Sequence, residues 1–143
     1  MTIDKTGTYW VGSHPLDLKA YLRAYAEGVP ISAFRLAQCP CSSIDFRVEA
    51  DADQGCVRRS CVRCSTAHFV CDSEEVSAEA ELKPWRCKCR SDQANIGVGF
   101  SLHDNGDVRW LYVGLRCRKC GTLGCIAEWK VEYAPSAHLL DAA

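Results

Sequence analysis

The chain is 143 residues long and carries 17 lysine and arginine residues against 18 aspartate and glutamate residues, a formal net charge of −1. This composition excludes collagen-like and disordered chains, and the longest apolar stretch is far too short to cross a membrane. No basic segment followed by an apolar segment opens the sequence, so we expect a cytoplasmic protein. The anomaly is the count of 11 cysteines, which is odd and cannot be used up by disulfides.

The first segment, residues 1–36, is predicted to form one helix followed by an extended link. Ser13 is placed to cap the helix, and Pro15 suits its first turn. Gly28 and Pro30 are expected to end it. We expect its apolar stripe to cover a sheet formed by the rest of the chain, and a surface for a partner protein is the alternative. The stripe consists of Leu18, Tyr21, Leu22 and Tyr25.

Eight of the cysteines form four close pairs that repeat one order along the chain. A C-x-C pair is followed by a C-x-x-C pair, and the same order then recurs. Two thiolates from one tight turn and two from a neighbouring turn can bind a tetrahedral metal ion, and four thiolates favour zinc, with iron as the alternative. The sequence therefore predicts two structural Zn²⁺ ions per chain. The ligands of the first are Cys39, Cys41, Cys61 and Cys64, and those of the second are Cys87, Cys89, Cys117 and Cys120.

Alternating apolar and polar residues between these pairs predict β-hairpins. Within residues 37–73 the alternation runs over 44–50. Within residues 85–134 it runs over 96–102 and leads to an Asn-Gly turn at 105–106, a strong hairpin signal. A third strand is predicted after each C-x-x-C pair. The predicted fold class is mainly β: two tandem three-stranded units that arose by internal duplication, with one N-terminal helix.

The remaining segments are predicted to be connections. Residues 74–84 lie in a stretch rich in carboxylates and are predicted to be an acidic linker between the two units. Residues 135–143 are predicted to be a tail. Three cysteines have no counterpart in the repeated order, and we expect them to pack in the core and not to bind metal. They are Cys56, Cys71 and Cys125.

Three strands with a cysteine knuckle at one end resemble the zinc-ribbon class, and the resemblance covers roughly residues 38–133. The chain is also similar to small uncharacterised bacterial proteins that contain two such ribbons. The resemblance implies a β fold stabilised by zinc, because short ribbons have small cores of their own. It implies no particular activity, since ribbons occur in transcription factors, ribosomal proteins, enzymes and adaptors alike.

The function we expect is non-catalytic binding of another protein, as an adaptor or as an inhibitor or immunity protein. A catalytic zinc keeps an open coordination position, whereas four cysteines close each of these sites, so no enzymatic activity is expected. The 4 histidines show no metal-ligand spacing. The sequence also contains no phosphate-binding loop and no nucleophile elbow.

The alternative function is nucleic-acid binding or a transcription-associated role. Basic residues flank the cysteine pairs and can contact phosphates. The same cations also compensate the charge of a zinc with four thiolates, and two such centres take the formal charge of the chain to about −5. A chain of that charge has no general attraction to nucleic acid. The candidate anion contacts are Arg58, Arg59, Arg63, Arg118 and Lys119.

Overall fold

Strands dominate the computed structural model of the chain, which describes residues 3–26 and 28–143. The described part contains one α-helix, α1 (Asp17–Tyr25), and two short 3-10 helices at Ser73–Val76 and Ala137–Asp141. The strands are β1 (Ile3–Asp4), β2 (Val11–Gly12), β3 (Ala33–Leu36), β4 (Phe46–Asp51), β5 (Cys56–Cys61), β6 (Ala67–Phe69), β7 (Lys83–Pro84), β8 (Ala94–Leu102), β9 (Val108–Cys117) and β10 (Leu123–Lys130). The mainly β class with one helix is as predicted.

Eight of these strands form one open antiparallel sheet, while β1 and β2 pair with each other. The path through the sheet is β10-β9-β8-β4-β5-β6. It contains two three-stranded sets, β4-β5-β6 and β8-β9-β10, which meet where Phe46 of β4 pairs with Ala94 of β8. The strands of both predicted units therefore belong to a single sheet.

The strand before each C-x-C pair crosses over to the other three-stranded set. β3 pairs with β8, and β7, which lies in the predicted linker, pairs with β4. The hydrogen bonds that follow these strands correspond as well: the N–H of Ala37 donates to the carbonyl of Ile96, and the N–H of Trp85 donates to that of Val48, both at 2.8 Å. Each set thus receives an edge strand from the segment that leads into the other set.

The main core lies on the apolar face of the two hairpins. The alternation seen in the sequence places Phe46, Val98 and Phe100 on this face, where they are fully buried together with Leu111 of β9. Residues 137–143 also pack here, through the buried side chain of Leu139. The segment predicted as a tail is therefore packed against the core over most of its length.

The opposite face of β8 and β9 is covered by α1 and by the chain that follows it. Glycines lie on this face, so the covering side chains contact the strand backbone directly. Leu22 lies over Gly114, while Leu18 and Phe34 lie over Gly97. As a result β8 is buried on both faces, although its alternation of large residues and glycines is typical of a half-buried strand.

The helix begins later than the sequence indicates. Ser13 does not cap it; instead Leu16 precedes the first helical residue and offers no side-chain hydrogen bond. The carboxylate of Asp17 accepts the N–H of His14 at 3.0 Å and closes the turn that leads into the helix. Of the predicted apolar stripe, the leucines are buried against the sheet, whereas Tyr25 is 48% exposed.

Gly97→Ala is expected to destabilise the protein by about 1–3 kcal/mol, the usual effect of overpacking a closed site. A Cβ at this position would lie 2.7 Å from the Phe34 ring and 3.2 Å from the Cβ of Leu18, so both neighbours must move. Gly124→Ala is the matched control, because no atom of the described residues beyond its chain neighbours lies within 4 Å of a Cβ there. Urea unfolding compares the two, and equal stabilities would contradict the packing of this face.

Candidate metal centres

The first group of predicted ligands converges at the knuckle end of the β4–β5 hairpin. Cys61 is the last residue of β5, and the C-x-C pair lies in the turns that lead into β4. The Sγ atoms of Cys39 and Cys64 are 3.5 Å apart, as are those of Cys41 and Cys61, and all four lie within 4.8 Å of one another. Four sulfurs bound at about 2.3 Å around a tetrahedral zinc lie about 3.8 Å apart, so this group fits the ion.

The second group has the same geometry at the knuckle end of the β8–β9 hairpin. Cys117 is the last residue of β9. The Sγ atoms of Cys87 and Cys120 are 3.5 Å apart, as are those of Cys89 and Cys117, and all four again lie within 4.8 Å of one another. In both groups the first cysteine of the C-x-C pair lies next to the second cysteine of the C-x-x-C pair. All eight predicted ligands are therefore brought together in the predicted sets.

The turns that present the thiols have matching backbone conformations. In each of the four turns the residue after the pair, in the left-handed region of φ, donates its N–H to the carbonyl of the first cysteine of the pair. These residues are Ser42 (φ 79°), Ser65 (φ 67°), Arg90 (φ 75°) and Gly121 (φ 78°). Because glycine occupies only one of the four positions, the sequence contains no glycine pattern that reveals these turns.

Hydrogen bonds favour the ionised form of two thiols of the first group, those of Cys61 and Cys64. At Cys39 a backbone hydrogen bond from Cys41 is outweighed by burial and by the neighbouring thiols, which raise the pKa to about 12. The N–H of Cys64 donates to the Sγ of Cys61 at 3.5 Å, and this bond is the largest of several hydrogen bonds that lower the pKa of Cys61 to about 6. The hydroxyl of Thr66 lies 3.1 Å from the Sγ of Cys64 and lowers the pKa of that thiol. Four adjacent thiolates repel one another unless a cation lies between them. The donor set therefore suits a divalent metal ion that accepts four sulfur ligands.

Thr122→Val is expected to weaken metal binding at the second centre by about tenfold, in line with other residues that hydrogen bond to metal ligands. The Oγ1 of Thr122 lies 3.0 Å from the Sγ of Cys120, and a thiolate there can only accept this hydrogen bond. Valine keeps the shape of the side chain and removes the donor. Competition with a zinc-binding dye measures the affinity, and Thr8→Val, at an exposed position, is the control. Equal affinities in the two variants would show that the hydroxyl plays no part.

Three of the five candidate anion contacts form interactions within the chain. Arg59 is 5% exposed and donates to the main-chain oxygen of Ala143 from Nε at 3.3 Å and from Nη2 at 3.0 Å. Arg58 lies 3.8 Å from Glu49, and Arg118 lies 3.0 Å from Asp45. The two that remain, Arg63 and Lys119, are exposed beside their C-x-x-C pairs.

A buried amide connects the surroundings of the two centres. Asn95, which is 1% exposed, donates from Nδ2 to the carbonyl of Ile44 at 3.0 Å and to the carboxylate of Asp45 at 3.1 Å. Its Oδ1 accepts from Arg116 at 2.9 Å, and Arg116 also donates to the carbonyl of Gly12 at 2.7 Å. Asn95 is not among the site residues predicted from the sequence. The available signal was an amide at the start of an otherwise apolar strand, since buried amides are almost always hydrogen bonded.

The three unmatched cysteines lie outside both groups. Cys56 is fully buried, and its thiol donates to the carbonyl of Ser73 at 3.4 Å. Burial raises the pKa of Cys71 and of Cys125 to about 12, so both remain neutral thiols at physiological pH. A β-bulge between Cys125 and Ala127 breaks the alternation of β10, and Cys125 packs beneath α1 while Ala127 belongs to the main core.

No protein-family model, curated protein or solved structure matches the chain. Within residues 3–26 and 28–143, no helix combines the length and the apolar character that crossing a bilayer requires. The described residues thus form a mainly β open sheet with two four-cysteine groups whose geometry suits zinc.

Proposed function

We propose that the protein is a non-catalytic module that holds two structural Zn²⁺ ions and acts by binding another protein. The observation that carries the proposal is the presence of two four-thiol groups with the same sulfur geometry. An ion bound by four thiolates has no open position for a substrate or a reactive water. Zinc therefore supplies stability to the hairpin ends, and the surfaces of the sheet are left to make contacts with a partner.

An internal duplication of a zinc ribbon accounts for the arrangement of the sheet. Phe46 and Ala94 occupy the same place relative to their C-x-C pairs, and they pair with each other across β4 and β8. Such a pairing is expected when a local two-fold axis relates two copies. The same two-fold axis relates the pairing of β3 with β8 to the pairing of β7 with β4. The two three-stranded sets then represent two zinc ribbons that share one sheet.

A protein partner is favoured over nucleic acid by the charges. With both ions bound, the formal charge of the chain is about −5, and a compact chain of that charge repels phosphate backbones except at local patches. Arg59 is buried, and the ion pairs of Arg58 and Arg118 neutralise two more of the basic residues that a nucleic-acid interface would use. The exposed cations Arg63 and Lys119 are the observation that favours the alternative function.

Two measurements test the proposal. Metal analysis of the purified protein is expected to give two zinc ions per chain, and a value near one or zero contradicts the paired centres. Cross-linking of the zinc-loaded protein in an extract of its source, followed by reconstitution with the purified partner, tests protein binding directly. Titration with single-stranded and duplex oligonucleotides at moderate salt tests the alternative. Tight, salt-sensitive binding that is lost in an Arg63→Ala, Lys119→Ala variant would replace the protein partner with nucleic acid.

A further inference from the structure

The last residues of the sequence occupy a groove on β5 and β6, which we call the first groove and define by Arg59, His68 and Cys71. The main-chain oxygen of Ala142 accepts the N–H of Cys71 at 2.7 Å and lies 3.0 Å from the Nε2 of His68. The main-chain oxygen of Ala143 accepts both hydrogen bonds from Arg59. Arg59 and His68 face each other as a cross-strand pair. This surface of the sheet thus already holds a peptide segment.

Among the residues that the structure describes, no segment is docked on the corresponding surface of the other three-stranded set. In the first set Arg59 of β5 pairs with His68 of β6. The residues 56 positions after these two are Leu115 of β9 and Gly124 of β10, and they also pair with each other. At this second position a cleft of about 450 Å³ takes the place of the docked segment. The cleft lies between β10, the C-x-C turn of the second centre and Tyr9. We call it the second cleft.

The lining of the second cleft is apolar at its base. Trp85, Leu115, Leu123 and Ile126 line it, and Tyr9, which is 53% exposed, stands at its rim. No atom of the described residues beyond the chain neighbours of Gly124 lies within 4 Å of a Cβ built on that residue. The space that His68 fills in the first groove is therefore empty here. β10 is also the outermost strand of the sheet. Its first residue, Leu123, already donates its N–H to the carbonyl of Trp10 at 2.8 Å, and the edge beyond Leu123 can pair with an added extended segment.

Two cations make the rim of the second cleft positively charged. Arg86 and Lys88 line it on either side of Cys87, both are exposed, and none of its lining residues is acidic. Among the residues that the structure describes, neither cation forms an ion pair. The Nζ of Lys88 lies 4.8 Å from the ring of Tyr9. Arg90 and Lys119 are exposed beside the thiols of the same centre but do not line the cleft. A positive rim on an acidic chain favours a ligand that carries a carboxylate.

We propose that the second cleft binds an extended peptide segment of the partner protein, with apolar side chains over Trp85 and Leu115 and a carboxylate beside Lys88. The inference rests on the proposed function and states where that function is carried out. Residues 139–143 provide the precedent, because two leucines and an aspartate precede the main-chain groups that the first groove binds. A peptide of that kind satisfies both the apolar base and the cationic rim of the second cleft.

The probe is a fluorescent peptide with the sequence of residues 137–143, titrated into the intact zinc-loaded protein and followed by anisotropy. The chain's own segment already fills the first groove, so the second cleft is the expected site. Gly124→Trp places a large side chain in the open space and is expected to weaken binding by about tenfold or more. Lys88→Glu reverses a rim charge and is expected to have an effect of similar size that shrinks at high salt. Lys119→Glu, the same charge change beside the same centre but outside the cleft, is expected to bind as the wild type does.

Zinc content and circular dichroism confirm that each variant is folded before the titration is interpreted. Binding that is equal in the wild type, Gly124→Trp and Lys88→Glu overturns the proposal, because the peptide then binds elsewhere, most simply by displacing residues 139–143. Failure of the wild type to bind the peptide at millimolar concentration also overturns it. If the Gly124→Trp variant still binds the purified partner as the wild type does, the second cleft is excluded while the proposed function stands. If the wild type binds no protein partner, the proposed function itself fails.

Discussion

Cys117→Ser is expected to release one of the two metal ions and to unfold most of the sheet. Structural zinc contributes about 10–16 kcal/mol to the folding of small zinc domains, whereas whole domains are stable by only about 5–15 kcal/mol. Cys117 is fully buried at the end of β9, and its partner in the sheet is Ala94, which also pairs with Phe46. Loss of this ligand therefore disturbs the point where the two sets meet. Metal analysis is expected to give one zinc per chain, and urea unfolding followed by circular dichroism to show little folded protein at low denaturant.

Cys56→Ser is the matched control for this experiment. Cys56 is also fully buried and also lies in a strand of the sheet, but it belongs to neither group of ligands. A serine hydroxyl can donate to the carbonyl of Ser73 as the thiol does. We expect this variant to keep both metal ions and to lose about 1 kcal/mol, as for most single substitutions. Similar losses of stability in the two variants would mean that burial, and not metal binding, determines the effect at Cys117.

Phe46→Ala is expected to reduce the free energy of unfolding by about 3–5 kcal/mol, which is typical of removing a buried phenylalanine ring. The ring is fully buried, and the guanidinium of Arg59 lies 4.6 Å from its centroid. The variant therefore leaves a cavity at the junction of β4 and β8, and it removes the aromatic ring that the Arg59 guanidinium contacts. Phe69→Ala is the control, since Phe69 is half-buried on the outer strand β6. Urea unfolding measures both, and a loss below about 1 kcal/mol for Phe46→Ala would contradict the described core.

The two four-cysteine groups were predictable because the spacing of their residues is local. Two cysteines in one tight turn present their sulfurs together whatever the rest of the chain does, and a hairpin is enough to bring two turns side by side. The alternating pattern of β8 and the Asn-Gly turn after it are local signals of the same kind. The sequence therefore indicates both four-cysteine groups, and the structure brings each of them together.

The crossing strands were not predictable, because nothing local specifies them. β7 is only two residues long, and β3 has four, so neither shows a measurable period. Their pairing depends on which remote edge is open, and that is decided by the way in which the two three-stranded sets meet. The position of residues 137–143 is hidden for the same reason, since Leu139 finds its place only against a core formed by distant strands.

Helix α1 illustrates a third cause of error. Ser13 has the side chain that caps helices, but the chain bends once more before the helix starts, and Asp17 closes that bend from inside the first turn. The glycines of β8 are a related case. Gly97 resembles an exposed position in the alternation, yet it marks the place where Leu18 and Phe34 must approach the backbone.

The crossing of β3 and β7 also has a consequence for biosynthesis. As the chain leaves the ribosome, the ligands of the first centre are complete once Cys64 has emerged, well before β7 and β8 exist. Until β7 and β8 emerge, the outer edge of β4 remains unpaired. An open strand edge of a nascent chain is prone to pair with other chains. Early capture of a metal ion by the first four cysteines would hold the β4–β5 hairpin in register during that interval. The order of synthesis therefore leaves this edge of β4 without a partner until the strands that cross over to it have emerged.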